Sequence, residues 1–339
     1  MTRSGRVVLA LGGGGARGYA HIGVIQVLEE QGYEVVGIAG TSMGALVGGL
    51  HAAGCLDGYT EWVGNLSQRD VLRLLDPALR TPGMIRGERV MGRVADLLDG
   101  ARIEDLPIPF TAVATDLLAH REVWFQRGPV EVAVRASIAL PSFFTPVMLN
   151  GRLLADGGMC NPVPMTPLGG LPADLRIAVT LSGEETDPPD AGPTQESAED
   201  RPLSEWYERL RHTASQVLEL EAGRRVSRWF AARRGEDPAA AAGSVPELPE
   251  MVSPYDDLPD DLGVLRVMEL SIDSLQRVVA RYQMAGYPPD LQISVPKNSC
   301  RTLDFHRAAE MMALGRSVAT DALARLAPPP APGSTSEPG

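Results

Sequence analysis

Two short apolar runs, Arg6–Leu11 and Val35–Ala39, each break at a glycine turn and continue as a helical pattern, all within the first fifty residues. Runs rich in β-formers and lacking polar alternation suit strands buried on both faces. A strand, a helix and a second strand in quick succession point to parallel pairing, because the helix must carry the chain back across the sheet. Phe110–Thr115, Glu122–Phe125 and Arg176–Leu181 read as further strands, with helical patterns over Val90–Leu98 and Val130–Ile138. The expected fold is a three-layer α/β domain: a mainly parallel sheet with helices on both faces, a helical insertion and a C-terminal helix.

The chain divides by composition. Residues 5–183 carry the strand and helix patterns of a core. From 184 to 262 Glu, Asp, Pro, Ser and Gly dominate around an amphipathic helical stretch, Leu203–Arg234, which reads as an insertion with mobile flanks. Residues 263–326 resume with a helix through Leu265, Ile272 and Tyr282, a late strand at Asp290–Val295 that returns to the sheet, and a closing helix, Leu303–Leu326. Residues 327–339, rich in Pro, Ser and Gly, read as a disordered tail. The chain shows no internal repeat.

Charge and cysteine content remove several functions. A net charge of −12 opposes nucleic-acid binding, which depends on clustered Lys and Arg against phosphates. Three widely spaced cysteines, Cys55, Cys160 and Cys300, form neither a disulfide framework nor a zinc-ligand pattern. The run Val7–Leu11 is too short for a leader core, and no stretch reaches the ~20 apolar residues of a membrane span. The expectation is a cytoplasmic protein, with peripheral membrane contact left open to the insertion helix. Oligomeric state is not readable.

Gly40-Thr41-Ser42-Met43-Gly44 matches the GxSxG elbow, in which glycines allow a strained strand-to-helix turn that raises the serine above the sheet. It falls between a buried strand and a helix, the context the motif needs, so Ser42 is the candidate nucleophile. Gly12-Gly13-Gly14-Gly15-Ala16-Arg17-Gly18 joins the first strand to the first helix, where backbone N–H groups can face an anion. Gly13, Gly15 and Gly18 also satisfy a dinucleotide fingerprint, but the next strand ends in the serine elbow rather than in an acidic ribose partner. An oxyanion hole fits that loop better than a cofactor site, and no cofactor or metal is expected. The five histidines include none placed as a triad base: His306 falls in the closing helix, and His21, one turn past the glycine loop, suits a structural or loop-orienting role. Leu153-Leu154-Ala155-Asp156-Gly157-Gly158 instead sets a carboxylate at the end of an apolar run before a sharp turn.

With Arg135-Ala136-Ser137-Ile138-Ala139-Leu140-Pro141, these three motifs stand in the order found in patatin-like phospholipases. The chain resembles their bacterial single-domain branch, related to the catalytic part of neuropathy target esterase, over roughly Val7–Leu181 and again over Pro288–Leu326. That resemblance implies hydrolysis of lipid carboxylic esters, phospholipid or lysophospholipid, through an acyl-enzyme. It implies a Ser42–Asp156 dyad with Asp156 as general base and no catalytic histidine. The amides around Gly13, Gly14 and Gly15 would hold the oxyanion, with Arg17 supporting that loop or meeting a phosphate. No counterpart of the larger relatives' cyclic-nucleotide-binding segments is read here, so control by cyclic nucleotide is not expected. A peptidase or acyltransferase using the same serine, and a silent lipid-binding or adaptor protein, stay open as alternatives.

Overall fold

The first apolar run forms β1 (Gly5–Leu11), whose last five residues are all buried. A glycine turn and a 3-10 turn lead to α1 (Ala20–Glu30), then to β2 (Tyr33–Thr41) parallel to β1, then directly to α2 (Met43–Ala52). The computed structural model describes residues 5–74, 87–141, 143–183 and 264–326. The expected insertion at 184–262 and tail at 327–339 lie outside the described residues. Residues 1–195 and 274–339 form one unit, which holds the sheet; of the other, 196–273, the described part is 264–273, the first turns of one helix.

After α2 come α3 (Leu56–Gly64), α4 (Gln68–Leu74) and α5 (Glu88–Leu98), then β3 (Phe110–Asp116), β4 (Arg121–Phe125) and α6 (Val130–Ser137). The hairpin β5 (Val147–Leu149) and β6 (Arg152–Asp156) precedes β7 (Leu175–Gly183). The remaining elements are α7 (Val264–Gly286), β8 (Leu291–Pro296) and α8 (Ala308–Ala324). Pairing links the strands in the sequence β5-β6-β3-β2-β1-β7-β8, with β4 also paired to β3. The β1–β2, β1–β7, β2–β3 and β7–β8 pairs are parallel, while the pairs formed by β4, β5 and β6 are antiparallel. The sheet is therefore mixed and mostly parallel.

Its two faces are covered unequally. Val7, Leu9 and Leu11 of β1 point into the larger core with residues of α1, α2, α3, α5, α6 and α8. Val8 and Ala10 point the other way, into a smaller cluster with Val163, Met165 and Leu168 of the β6–β7 connection and Met284 of α7. On that face the β6–β7 connection packs on the sheet together with α7, whose Gln283 donates to the Cys160 carbonyl at 2.8 Å. The closing helix also begins later than its apolar pattern suggests: Phe305–Arg307 is a 3-10 turn and α8 proper starts at Ala308. The Asp304 carboxylate accepts the N–H of Arg301 at 3.0 Å, a local turn that competes with helix at that point. Among the described residues no helix is long and apolar enough to cross a membrane.

Helix α8 lies backbone to backbone on α1. A Cβ added to Gly315 would overlap the Ala20 carbonyl, and one added to Gly23 would overlap the Met312 carbonyl. Helix propensity alone favours Gly315→Ala by about 1 kcal/mol. The overlap outweighs it, so we expect this variant to lose about 1–3 kcal/mol in urea unfolding. A raised midpoint would contradict this packing.

Candidate active site

The strand pairings fix where the two candidate catalytic residues meet. β2 pairs with β3 over Phe110–Val113, β6 pairs with β3 over Ala114–Asp116, and β4 pairs with β3 over Ala112–Asp116. A strand has two hydrogen-bonding edges, and β4 overlaps both of the others, so β2 and β6 must share the opposite edge. They meet there end to end: Thr41 stands opposite Val113, and Asp156 opposite the next residue, Ala114. β2 runs with β3 and β6 runs against it, so the chain leaves β2 at Ser42 where β6 delivers Asp156.

Ser42 stands at φ 55°, ψ −123°, a conformation that L-residues rarely adopt. Close packing holds it there. A Cβ on Gly40 would overlap the Gly44 carbonyl, and one on Gly44 would overlap that of Leu11, so the elbow folds only with glycine at both places. The Ser42 N–H donates to Ser137 Oγ at 2.9 Å, and the Thr41 hydroxyl donates to the Asn161 carbonyl at 2.8 Å.

The Ser42 hydroxyl faces the Asp156 carboxylate closely enough to favour its ionised form. Asp156 is 3% exposed; burial raises its pKa to about 6, against the opposing pull of hydrogen bonds from Ser42 and the Gly158 N–H, which reaches Oδ1 at 2.7 Å. Its backbone is tied as well: its N–H donates to the Ala139 carbonyl at 2.9 Å, and its carbonyl accepts the Thr115 hydroxyl at 2.9 Å. Gly157 lies so close to the Val113 carbonyl that no side chain fits there.

The glycine loop lies against the serine: a Cβ on Gly13 would come to 3.2 Å from Ser42 Cβ, and Gly18 packs on Met43. Two amides in the expected set are already used, Gly13 N–H by the Pro162 carbonyl at 3.2 Å and Ala16 N–H by the Thr302 carbonyl at 2.9 Å. The N–H groups of Gly14, Gly15 and Met43 have no acceptor among the described residues. The Arg17 guanidinium donates through Nη1 to the Lys297 carbonyl at 2.8 Å, tying the loop to the chain after β8. His21 is fully buried, with Nε2 2.8 Å from the Gly12 carbonyl; since a carbonyl only accepts, Nε2 carries the proton. Burial lowers its pKa to about 4 and keeps the ring neutral. His51 faces Glu29 at 3.6 Å, and His212 lies outside the described residues.

An apolar cavity of about 830 Å³, open mouth included, reaches Ser42, Met43 and Gly15. Tyr59 and Trp62 of α3, Phe143, Phe144 and Phe305 form much of its wall. The rings of Phe305, Tyr19, Tyr59 and Trp62 follow one another at centroid separations of 6.1, 6.4 and 5.7 Å. These aromatic positions were not legible as a site, because ring residues spaced along a helix read as core. Met43 N–H was the more accessible omission, since the amide following a GxSxG serine commonly serves an oxyanion.

This elbow, carboxylate and glycine loop define a patatin-like phospholipase domain, and the model of that family, described as "Patatin-like phospholipase", matches residues 9–168. The chain belongs to the NTE family of such proteins: it is 48% identical over 336 residues to proteins of Mycobacterium bovis and Mycobacterium tuberculosis, each described as an uncharacterized NTE family protein, across 94% of this chain and 92% of theirs. Patatin-like phospholipase domain-containing protein 6 of Homo sapiens is 33% identical over 188 residues, 53% of this chain and 14% of that protein.

A carboxylate whose pKa rises from 3.8 to about 6 on folding adds stability below pH 3.8 that is lost as pH climbs through 6. Asp156→Asn keeps an acceptor for Gly158 N–H and has no charge to bury. We expect its stability relative to wild type to increase by about 2–3 kcal/mol between pH 4 and pH 8 in chemical unfolding. A difference that stays flat with pH would mean that Asp156 is not buried as a charge.

Proposed function

We propose that the protein is a serine acyl-hydrolase that cleaves lipid carboxylic esters, phospholipid or lysophospholipid, with Ser42 as nucleophile and Asp156 as general base. The reading rests on one observation: a strained serine, brought beside a buried carboxylate by the β3 pairings, opens onto an apolar cavity. Family membership supports the same class of chemistry.

Ser42 Oγ attacks the ester carbonyl carbon while its proton passes to Asp156. A carboxylate with a pKa of about 6 is ionised at neutral pH and is a stronger base than an exposed one. The tetrahedral oxyanion meets the open amides of Gly14, Gly15 and Met43; a donor of this kind lowers the barrier by about 3–4 kcal/mol. As the C–O bond breaks, the leaving alkoxide takes the proton from Asp156 and the acyl group remains on Ser42. Water then attacks the acyl-enzyme, Asp156 accepts its proton, and collapse releases the fatty acid as the proton returns to Ser42 Oγ. The apolar wall holds the acyl chain and shields the dyad from bulk water. Arg17 holds the loop in shape through the Lys297 carbonyl.

The test is fatty-acid release from phospholipids, lysophospholipids and p-nitrophenyl esters. We expect kcat/KM of the wild type to rise with pH through about 6, and Ser42→Ala and Asp156→Asn each to lose at least ~10³-fold. Comparable turnover by either variant, or release of amines from peptides in place of fatty acids, would refute the assignment.

A further inference from the structure

We propose that Ser137 is a positioning residue for the nucleophile, and that the C-terminal end of α6 holds both members of the dyad in register. This rests on the reading of Ser42 and Asp156 given above.

The argument starts from the junction on β3. The β2 pairing ends at Thr41 opposite Val113, and the β6 pairing begins at Ala114, so the two ladders leave a seam between them. The Ser137 hydroxyl fills it. Its Oγ accepts the Ser42 N–H at 2.9 Å and donates to the Val113 carbonyl at 2.5 Å. A hydroxyl has one proton to donate and lone pairs to accept with, so one group satisfies both buried backbone atoms and carries the rigidity of β3 to Ser42. Two residues on, the Ala139 carbonyl accepts the Asp156 N–H at 2.9 Å. Residues 137 and 139 therefore hold the backbones of the nucleophile and of its base from one short stretch of chain.

That stretch is itself immobilised. Ala133, Val134, Ala136 and Ser137 are all buried, and Ser137 is fully enclosed. Ser42 needs such a clamp, because a residue at positive φ persists only where its surroundings over-determine it. Without the hydroxyl, the Ser42 amide and the Val113 carbonyl would both be buried and unpaired, and relaxation of the elbow would satisfy them. Ser137 acts through the backbone of Ser42 and takes no part in the proton transfer. It also engages the Ser42 N–H, which removes that amide from the oxyanion donors and leaves the role to Met43 and the glycine loop.

Fluorophosphonate labelling of Ser42 separates positioning from folding, because the final labelled fraction counts folded sites and the rate constant reports the geometry of attack. We expect Ser137→Ala to label to the same final extent as wild type but about 10²-fold more slowly, and Ser137→Thr, which keeps the hydroxyl, to label faster than Ser137→Ala. If Ser137→Ala does not fold, Ser137→Cys keeps a side chain of similar shape, slightly larger, that weakens both bonds, and it too should label slowly to full extent. A wild-type rate in a folded Ser137→Ala or Ser137→Cys, or a reduced extent at unchanged rate, overturns the positioning role while leaving the dyad intact. Failure of the wild type to label at Ser42 removes the dyad reading, and this inference with it.

Discussion

The pairing of one edge of β3 with two strands in succession is the interaction on which the site depends. β2 and β6 arrive from opposite directions and stop opposite adjacent residues, Val113 and Ala114, so the sheet sets the distance between Ser42 and Asp156. Backbone hydrogen bonds define that spacing more tightly than a loop could, since each ladder residue is fixed by its neighbours. The proposed dyad partners, separated by more than a hundred residues in sequence, are thereby placed by a single strand. Beside antiparallel β4, the β5–β6 hairpin departs from a purely parallel sheet, and β6 brings a carboxylate to the serine.

Holding the site in this form opposes stability at two points. Ser42 occupies a strained backbone region, and Asp156 is buried where ionisation is disfavoured. The surrounding structure offsets both through tight packing and directed hydrogen bonds. The elbow glycines allow α2 and β1 to approach, the Gly158 N–H meets Oδ1, and neutral His21 fixes the Gly12 carbonyl at the base of the loop. The same burial that disfavours the Asp156 charge raises its basicity, so the instability and the proposed reactivity have one origin.

Much of this was legible from residue order. The alternation of apolar runs with glycine turns located β1, β2, β3 and β7, and GxSxG in its strand-to-helix context singled out Ser42. Asp156 was less legible, because Asp-Gly-Gly alone signals a turn; its meaning comes from the β3 register, which no local pattern encodes. Ser137 stood inside a recognised motif, but its bridging hydroxyl depends on α6 packing over the seam between β2 and β6. Expectation and structure differ over the oxyanion loop for a similar reason: Gly13 N–H is taken by Pro162, a residue distant in sequence. The closing helix was read too early because the apolar pattern continues through the turn at Asp304.

The central claim is that an acyl group is carried on Ser42. It is tested most directly by rapid acid quench of the protein turning over a slowly hydrolysed p-nitrophenyl ester, followed by intact-mass and peptide-mass analysis. The account predicts one acyl group per chain, formed within the burst of p-nitrophenol release and confined to the peptide containing Ser42. Turnover with no acylated protein, or acylation at a different residue, would contradict it.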